Sequence, residues 1–134
     1  MKHSIFSQDT GFALFVNRIA LGLLFLIPGV YKVFMPQDFL SFLMEGPIPA
    51  GIVTPLFYAV TLFEIVAAVC LLIGYKVRWV GPPLAAILFV ALVTVVITDL
   101  TSKILLISIL FHVAGILFCL SLWWAGPGKW ALEK

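Results

Sequence analysis

Four long apolar stretches constrain this chain more than any other feature of its sequence. Each is long enough to cross the hydrocarbon core of a bilayer, which is about 30 Å thick and takes about 20 helical residues. Their residues do not alternate between apolar and polar as membrane strands do, so helices remain as the way to satisfy the backbone in lipid. The sequence therefore predicts an all-α membrane protein whose transmembrane helices cover about Phe12–Phe34, Ile52–Ile73, Trp79–Thr98 and Ile104–Trp124.

The composition excludes a soluble domain and indicates one membrane domain over residues 1–134. Of the 134 residues, 63% are hydrophobic and only 10% are charged. The net charge is +2 and the basic residues form no run, so the chain is not expected to bind nucleic acid. The first stretch is expected to be retained rather than cleaved as a signal peptide, because it contains Arg18 and no small-residue cleavage site follows it.

Short connections and basic residues set the predicted topology. The connections Gly74–Trp79 and Asp99–Lys103 are so short that the helices they join must be antiparallel neighbours, which predicts an up-down-up-down four-helix bundle. Most basic residues flank the side that holds both termini. The positive-inside rule then places both termini in the cytoplasm, in a multi-pass protein of the cytoplasmic (inner) membrane. Those basic residues are Lys2, Lys76, Arg78, Lys129 and Lys134.

The longest connection, Met35–Gly51, contains three prolines around an apolar middle. That middle, Phe39–Met44, predicts a short amphipathic helix that lies on the outer interface and ends at Gly46 and Pro47. A lid over a space between the helices is the alternative interpretation.

Polar residues inside the predicted spans are the main functional signal. An ionisable side chain at the centre of a membrane helix costs about 2.5–3.5 kcal/mol, so it normally faces the bundle interior and has a partner. Arg18, Glu64 and His112 lie at such depth, each on a stripe that also holds small residues. The rise per residue predicts that Arg18 reaches Glu64 in a buried ion pair, while Lys32 reaches the outer interface on its own. The alternatives are a pair that only fixes helix register and an Arg18 that reaches the interface without a partner.

The same count of residues places His112 close to Glu64 in depth. Histidine and glutamate side chains can pass protons near neutral pH or hydrogen-bond a quinone, so a polar path from Lys32 or Asp99 at the outer face through His112 to Glu64 is one hypothesis. A histidine that only donates a hydrogen bond between helices is the other. The secondary candidates along this path and beside it are Asn17, Lys32, Thr61 and Asp99.

Other chemistry finds little support in the sequence. Haem usually needs paired axial ligands and a metal site needs at least three, whereas the spans offer one histidine at depth. The chain contains no phosphate-binding glycine loop, no GxSxG and no CxxC. Cys70 and Cys119 form either a redox pair or two small apolar residues. The catalytic residues are therefore unknown, and no metal and no intrinsic cofactor are expected, which leaves quinone or lipid as the candidate bound molecule.

Three segments in order along the chain carry a family resemblance. They are RIALGLLFLIPGVYK at Arg18–Lys32, FEIVAAVCLLIG at Phe63–Gly74 and GPGKWALE at Gly126–Glu133. The chain resembles the DoxX family of small four-helix membrane proteins, whose pattern has an arginine, Leu-Gly and Gly-x-x-Lys, then a glutamate-led second helix, then a terminal Gly-Pro-Gly-aromatic segment. It departs from that pattern at Ala68, where family members commonly carry glycine.

The resemblance implies quinone-linked redox chemistry, in a membrane subunit that anchors an oxidoreductase partner or shapes a quinone site. Arg18, Lys32 and Glu64 carry over as family-pattern residues, while His112 and Asp99 rest on their depth alone. A non-enzymatic scaffold or assembly factor, whose polar cluster is structural, is the first alternative. A small transporter, which would need a homo-oligomer to enclose enough volume, is the second.

Overall fold

The computed structural model describes residues 10–133, and Lys2 and Lys134, which contribute to the predicted orientation, lie outside them. The described residues form helices joined by turns, and four of these helices are long and apolar enough to span a membrane. The predicted all-α fold with four candidate spans and a short helix in the first connection is confirmed. The helices are α1 (Thr10–Phe34), α2 (Pro36–Met44), α3 (Ala50–Ile73), α4 (Val77–Thr98) and α5 (Leu105–Ala125).

The bundle has two ends that differ in structure. One end carries the start of α1, the turn between α3 and α4, and the chain after α5; we call it the termini end. The other carries α2 and the connection between α4 and α5; we call it the α2 end. The prediction that the termini end faces the cytoplasm rests on the distribution of basic residues alone.

The long helices associate as two antiparallel pairs, α1 with α3 and α4 with α5. Within each pair a glycine allows the backbones to approach closely. A Cβ atom at Gly29 would lie 2.9 Å from Ile65 of α3, and one at Gly81 would lie 2.9 Å from the carbonyl oxygen of Cys119 in α5. Gly29, which shares a stripe with Arg18 and Lys32, therefore serves helix packing.

Among the described residues, the main core joins the two pairs in the half of the bundle nearer the termini end. The main core lies there, with Leu21 of α1, Leu71 of α3, Leu84 of α4 and Leu122 of α5 all fully buried. A separate, smaller core at the α2 end joins α2 to the start of α3 through Leu40, Val53 and Phe57. The pairs thus close at one end and leave a space between them at the other.

The residues after α5, Gly126–Glu133, fold back across the termini end, and we call them the C-terminal strap. Three of its backbone N–H groups donate to the carbonyl oxygens of Gly11, Ile73 and Gly74, at 2.9, 3.1 and 3.1 Å. The strap therefore ties the start of α1 to the turn between α3 and α4.

Candidate functional site

A buried ion pair joins α1 to α3. The Nζ atom of Lys32 lies 2.5 Å from Oε2 of Glu64, and the two side chains are only 16% and 7% exposed. Lys32 occupies the last turn of α1, and α1 lies close to α3 there because Gly29 packs against Ile65, the neighbour of Glu64. The prediction that Lys32 reaches the outer interface on its own is wrong.

The predicted ion pair between Arg18 and Glu64 is also wrong. Arg18 is fully buried, and its Nη2 atom donates to the carbonyl oxygens of Lys129 and Trp130 in the C-terminal strap, at 3.3 and 3.1 Å. Its guanidinium also lies over the Phe15 ring, 5.4 Å from the centroid. The alternative that Arg18 reaches the interface without a partner is excluded by its burial and by these two bonds.

The distance between Arg18 and Lys32 along α1 explains why Lys32, and not Arg18, pairs with Glu64. Arg18 precedes Lys32 by 14 residues, which is about 21 Å of helix. The strap brings backbone carbonyls to the termini end, within reach of Arg18, while the close contact of α1 with α3 brings Glu64 to Lys32. The two cations of the stripe therefore belong to two different sites.

The space between the helix pairs is a cavity of about 680 Å³ at the α2 end, and we call it the crevice. All five helices contribute to its walls, which are mainly apolar. Leu56 of α3 and Val90 of α4 belong to its lining and are both exposed, so the crevice is not sealed between these two helices. The polar and charged side chains that line it are Lys32, Asp38, Thr61, Glu64, Thr94 and His112.

Helix α2 covers part of the crevice through Phe39, whose neighbours Phe42 and Leu43 also line it. The Nζ atom of Lys32 lies 5.5 Å from the centroid of the Phe39 ring, and Tyr31 donates a hydrogen bond of 3.3 Å to Asp38. Lys32 thus contacts both its ion partner and the covering helix. The lid interpretation of this segment remains a prediction.

His112 lies on α5, in a different wall of the crevice from the ion pair. Its Nδ1 atom is 2.7 Å from the carbonyl oxygen of Ser108. Because a carbonyl oxygen only accepts, Nδ1 must carry the proton, and Nε2 of the neutral ring is then a hydrogen-bond acceptor. Within residues 10–133 no hydrogen bond joins His112 to Glu64. The two residues share the crevice as members of its lining but do not contact each other directly through a hydrogen bond.

Thr61 is the other polar residue that sequence reasoning placed near this site. It lies on α3 one turn before Glu64, lines the crevice and is only 4% exposed. Its Oγ1 atom has no hydrogen-bond partner in the described part of the chain. Asp99, by contrast, ends α4 and is not part of the lining, so the path that begins at Asp99 has no support here.

Asn17 belongs to the termini end rather than to the crevice. Its Nδ2 atom donates to Oγ of Ser121 at 2.6 Å, which ties α1 to α5. Sequence reasoning missed Ser121, which lies on α5 outside the stripe that holds His112 and Cys119; the signal there was a hydroxyl group within an apolar span. It also missed Asp38 as part of the site, and the signal there was a carboxylate close in sequence to Lys32.

The bond between Asn17 and Ser121 gives a modest prediction about stability. Hydrogen bonds between membrane helices contribute about 0.6 kcal/mol on average in double-mutant cycles. We expect Asn17→Ala and Ser121→Ala, alone and combined, to give a coupling energy of about that size in the free energy of unfolding. A coupling of zero would show that the two side chains do not interact.

The described residues bring no group of three metal-ligating side chains together, and Cys70 and Cys119 are free thiols on α3 and α5. The crevice offers one ammonium, two carboxylates, one imidazole and two hydroxyl groups around an apolar space.

Comparison with known proteins corrects the family. No curated protein and no solved structure matches this chain. The identification as DoxX was wrong, because the family model that matches is that of the methylamine utilisation protein MauE, over residues 10–107. That match covers α1 to α4 with Lys32 and Glu64, and it ends before His112 and the C-terminal strap. Since it spans well over half of the sequence, the chain belongs to the MauE family of membrane proteins.

Proposed function

We propose that this chain is a membrane-embedded accessory component of a redox system for methylamine utilisation, and that it binds a lipid-soluble, quinone-type molecule in the crevice. The description of its family supports the first half of this proposal. The chemistry of the crevice supports the second half.

The observation that carries the ligand is the buried pair of Lys32 and Glu64 in the wall of an apolar cavity. A buried ion pair is weak evidence of stability, because well-packed apolar residues in its place are often neutral or stabilising. Charged side chains at membrane depth typically mark a path or a site for a substrate. The position of this pair on the crevice rather than in the closed core favours a role in binding.

The shape and lining of the crevice fit an amphipathic ring compound with an apolar tail. Its volume of about 680 Å³ is within the range of small-molecule sites. The ammonium of Lys32 has three N–H donors, so it can hold Glu64 and still donate to a ligand oxygen. The exposed apolar side chains of Leu56 and Val90 in the lining offer a surface for the tail.

A role as a scaffold without a ligand is the alternative. It would need an uncovered apolar surface on α2 for a partner, and little of that surface is free. Leu40 of α2 is buried against Val53 and Phe57, and Phe39 and Leu43 pack beside it, so most of the apolar side of this helix is already covered. The transporter alternative is disfavoured by the closed core, which fills the half of the bundle nearer the termini end.

The test is to measure what the purified protein carries. We expect protein extracted in mild detergent from quinone-containing membranes to retain quinone, measured in the organic extract by chromatography and mass spectrometry. Glu64→Gln removes the partner of Lys32 and should lower the retained amount about tenfold, the effect of losing roughly 1.4 kcal/mol of binding.

Asp99→Asn is the matched control, because it makes the same carboxylate-to-amide change outside the crevice. It should retain quinone as the wild type does. Wild-type protein that carries phospholipid alone would contradict the proposed ligand, and equal retention by both variants would show that Glu64 does not act in binding.

A further inference from the structure

The crevice offers complementary hydrogen-bonding groups on two of its walls. On α5, the bond from Nδ1 of His112 to the Ser108 carbonyl fixes the proton on Nδ1 and leaves Nε2 as an acceptor. On α3, Thr61 has a buried hydroxyl group without a partner among residues 10–133. A buried polar group without a partner costs about 1–3 kcal/mol, so a ligand that bonds to it recovers that cost.

These two groups make different demands on a ligand. The acceptor on His112 needs a ligand that donates a hydrogen, and a carbonyl oxygen cannot do this. The hydroxyl of Thr61 can donate to a carbonyl or to a hydroxyl oxygen alike. A hydroquinone carries hydroxyl groups on opposite sides of its ring, whereas the oxidised quinone has only acceptors.

We propose that the crevice selects the reduced form of its ligand, with one hydroxyl of a hydroquinone donating to Nε2 of His112 and the other oxygen accepting from the hydroxyl of Thr61. This inference rests on the proposed function and adds the redox form that the site prefers. No electron or proton transfer is part of it.

Such a ligand would also complete the packing of the bundle. The described side chains join the two helix pairs in the half nearer the termini end, through the main core and the bond from Asn17 to Ser121. At the α2 end the crevice separates α3 from α5. A ring that bonds to Thr61 on one wall and to His112 on the other would join the pairs across the crevice, beside the contact that Gly46 makes with Thr94 of α4.

The experiment compares the two redox forms of one probe. A short-chain benzohydroquinone and its benzoquinone are titrated without oxygen into the protein in phospholipid nanodiscs, and the two Kd values are measured by calorimetry. We expect the wild type to bind the hydroquinone about tenfold more tightly, as one additional hydrogen bond predicts.

The variants separate the two contacts. His112→Phe removes the acceptor and should bring the ratio of the two Kd values close to one, mainly by weakening the hydroquinone. Thr61→Val keeps the shape of the side chain and should weaken both forms together, leaving the ratio unchanged. Thr98→Val is the matched control, because Thr98 bonds to its own helix and does not line the crevice.

The outcomes show separately whether this inference fails and whether the proposed function fails. Equal affinity of the wild type for both forms, or a preference that survives His112→Phe, overturns the selection of the reduced form and leaves a quinone site in place. Binding of neither form overturns the proposed function as well. The wild-type ratio decides the question even where a variant fails to fold.

Discussion

Replacing Lys32 with methionine is expected to lower the free energy of unfolding by about 3–5 kcal/mol, because it leaves the buried Glu64 side chain without its ion partner. The measurement is a titration with sodium dodecyl sulfate in mixed micelles, followed by circular dichroism. Lys103→Met is the matched control, since Lys103 is exposed in the connection between α4 and α5. Its effect should stay within about 0.5 kcal/mol.

The double variant Lys32→Met/Glu64→Leu gives the sharper result. It replaces the whole pair by apolar side chains, and such replacements are often neutral or stabilising. We therefore expect its stability to return at least to that of the wild type, while retention of quinone is lost. A double variant as unstable as Lys32→Met would show that the two side chains do not form a pair. A stable double variant that still retains quinone would remove the pair from the binding site.

The hydropathy of the sequence was enough to predict the architecture. A chain this apolar leaves few ways to satisfy its backbone, and loops as short as Gly74–Lys76 force antiparallel neighbours. The glycines on the stripe of Arg18 and Lys32 also had a readable meaning, since Gly22 and Gly29 lie where α1 packs closely against α3. Such constraints act along one helix or between sequential helices, so they can be read from the sequence.

The partners of the charged residues could not be read in the same way. Counting residues gives the depth of a side chain but not the direction in which it points or what else reaches that depth. Lys32 and Arg18 lie on one stripe of α1 but have different partners. The strap supplies the backbone carbonyls that bind Arg18, and Glu64 pairs with Lys32. The strap is held by backbone hydrogen bonds and by the Trp130 ring, which packs edge-on against Phe12 and Phe15. These contacts join residues far apart in the sequence, so counting residues along one helix does not find them.

The wrong family has a related physical cause. The arginine, the glycines and the lysine of α1, and the glutamate of α3, are what close packing and buried charge require of a small helical bundle. Short motifs built from such residues indicate a small helical membrane bundle, but they do not distinguish one family of such bundles from another. The match to the MauE family extends over residues 10–107 as a whole, and this extent makes it the stronger finding.

Replacing Gly74 with alanine should release the C-terminal strap. Gly74 has φ +75°, and a Cβ atom there would overlap Nη1 of Arg18 and lie 2.6 Å from Cα of Ala131. Neither neighbour can move freely, because Arg18 is fully buried and Ala131 belongs to the strap that Arg18 holds. The clash and the left-handed backbone together are expected to cost about 2–4 kcal/mol.

The release can be observed directly by limited trypsin digestion, because Lys129 lies within the strap that Gly74 helps to hold. Cleavage after Lys129 should be much faster in Gly74→Ala than in the wild type. Gly51→Ala is the control: no atom lies within 4 Å of its Cβ position on α3, so it should leave cleavage unchanged and stabilise the helix by up to about 1 kcal/mol. Binding in the crevice should survive in both variants, because the strap and the crevice lie at opposite ends of the bundle. Equal cleavage of the two variants would mean that Arg18 and the turn at Gly74 do not hold the strap in place.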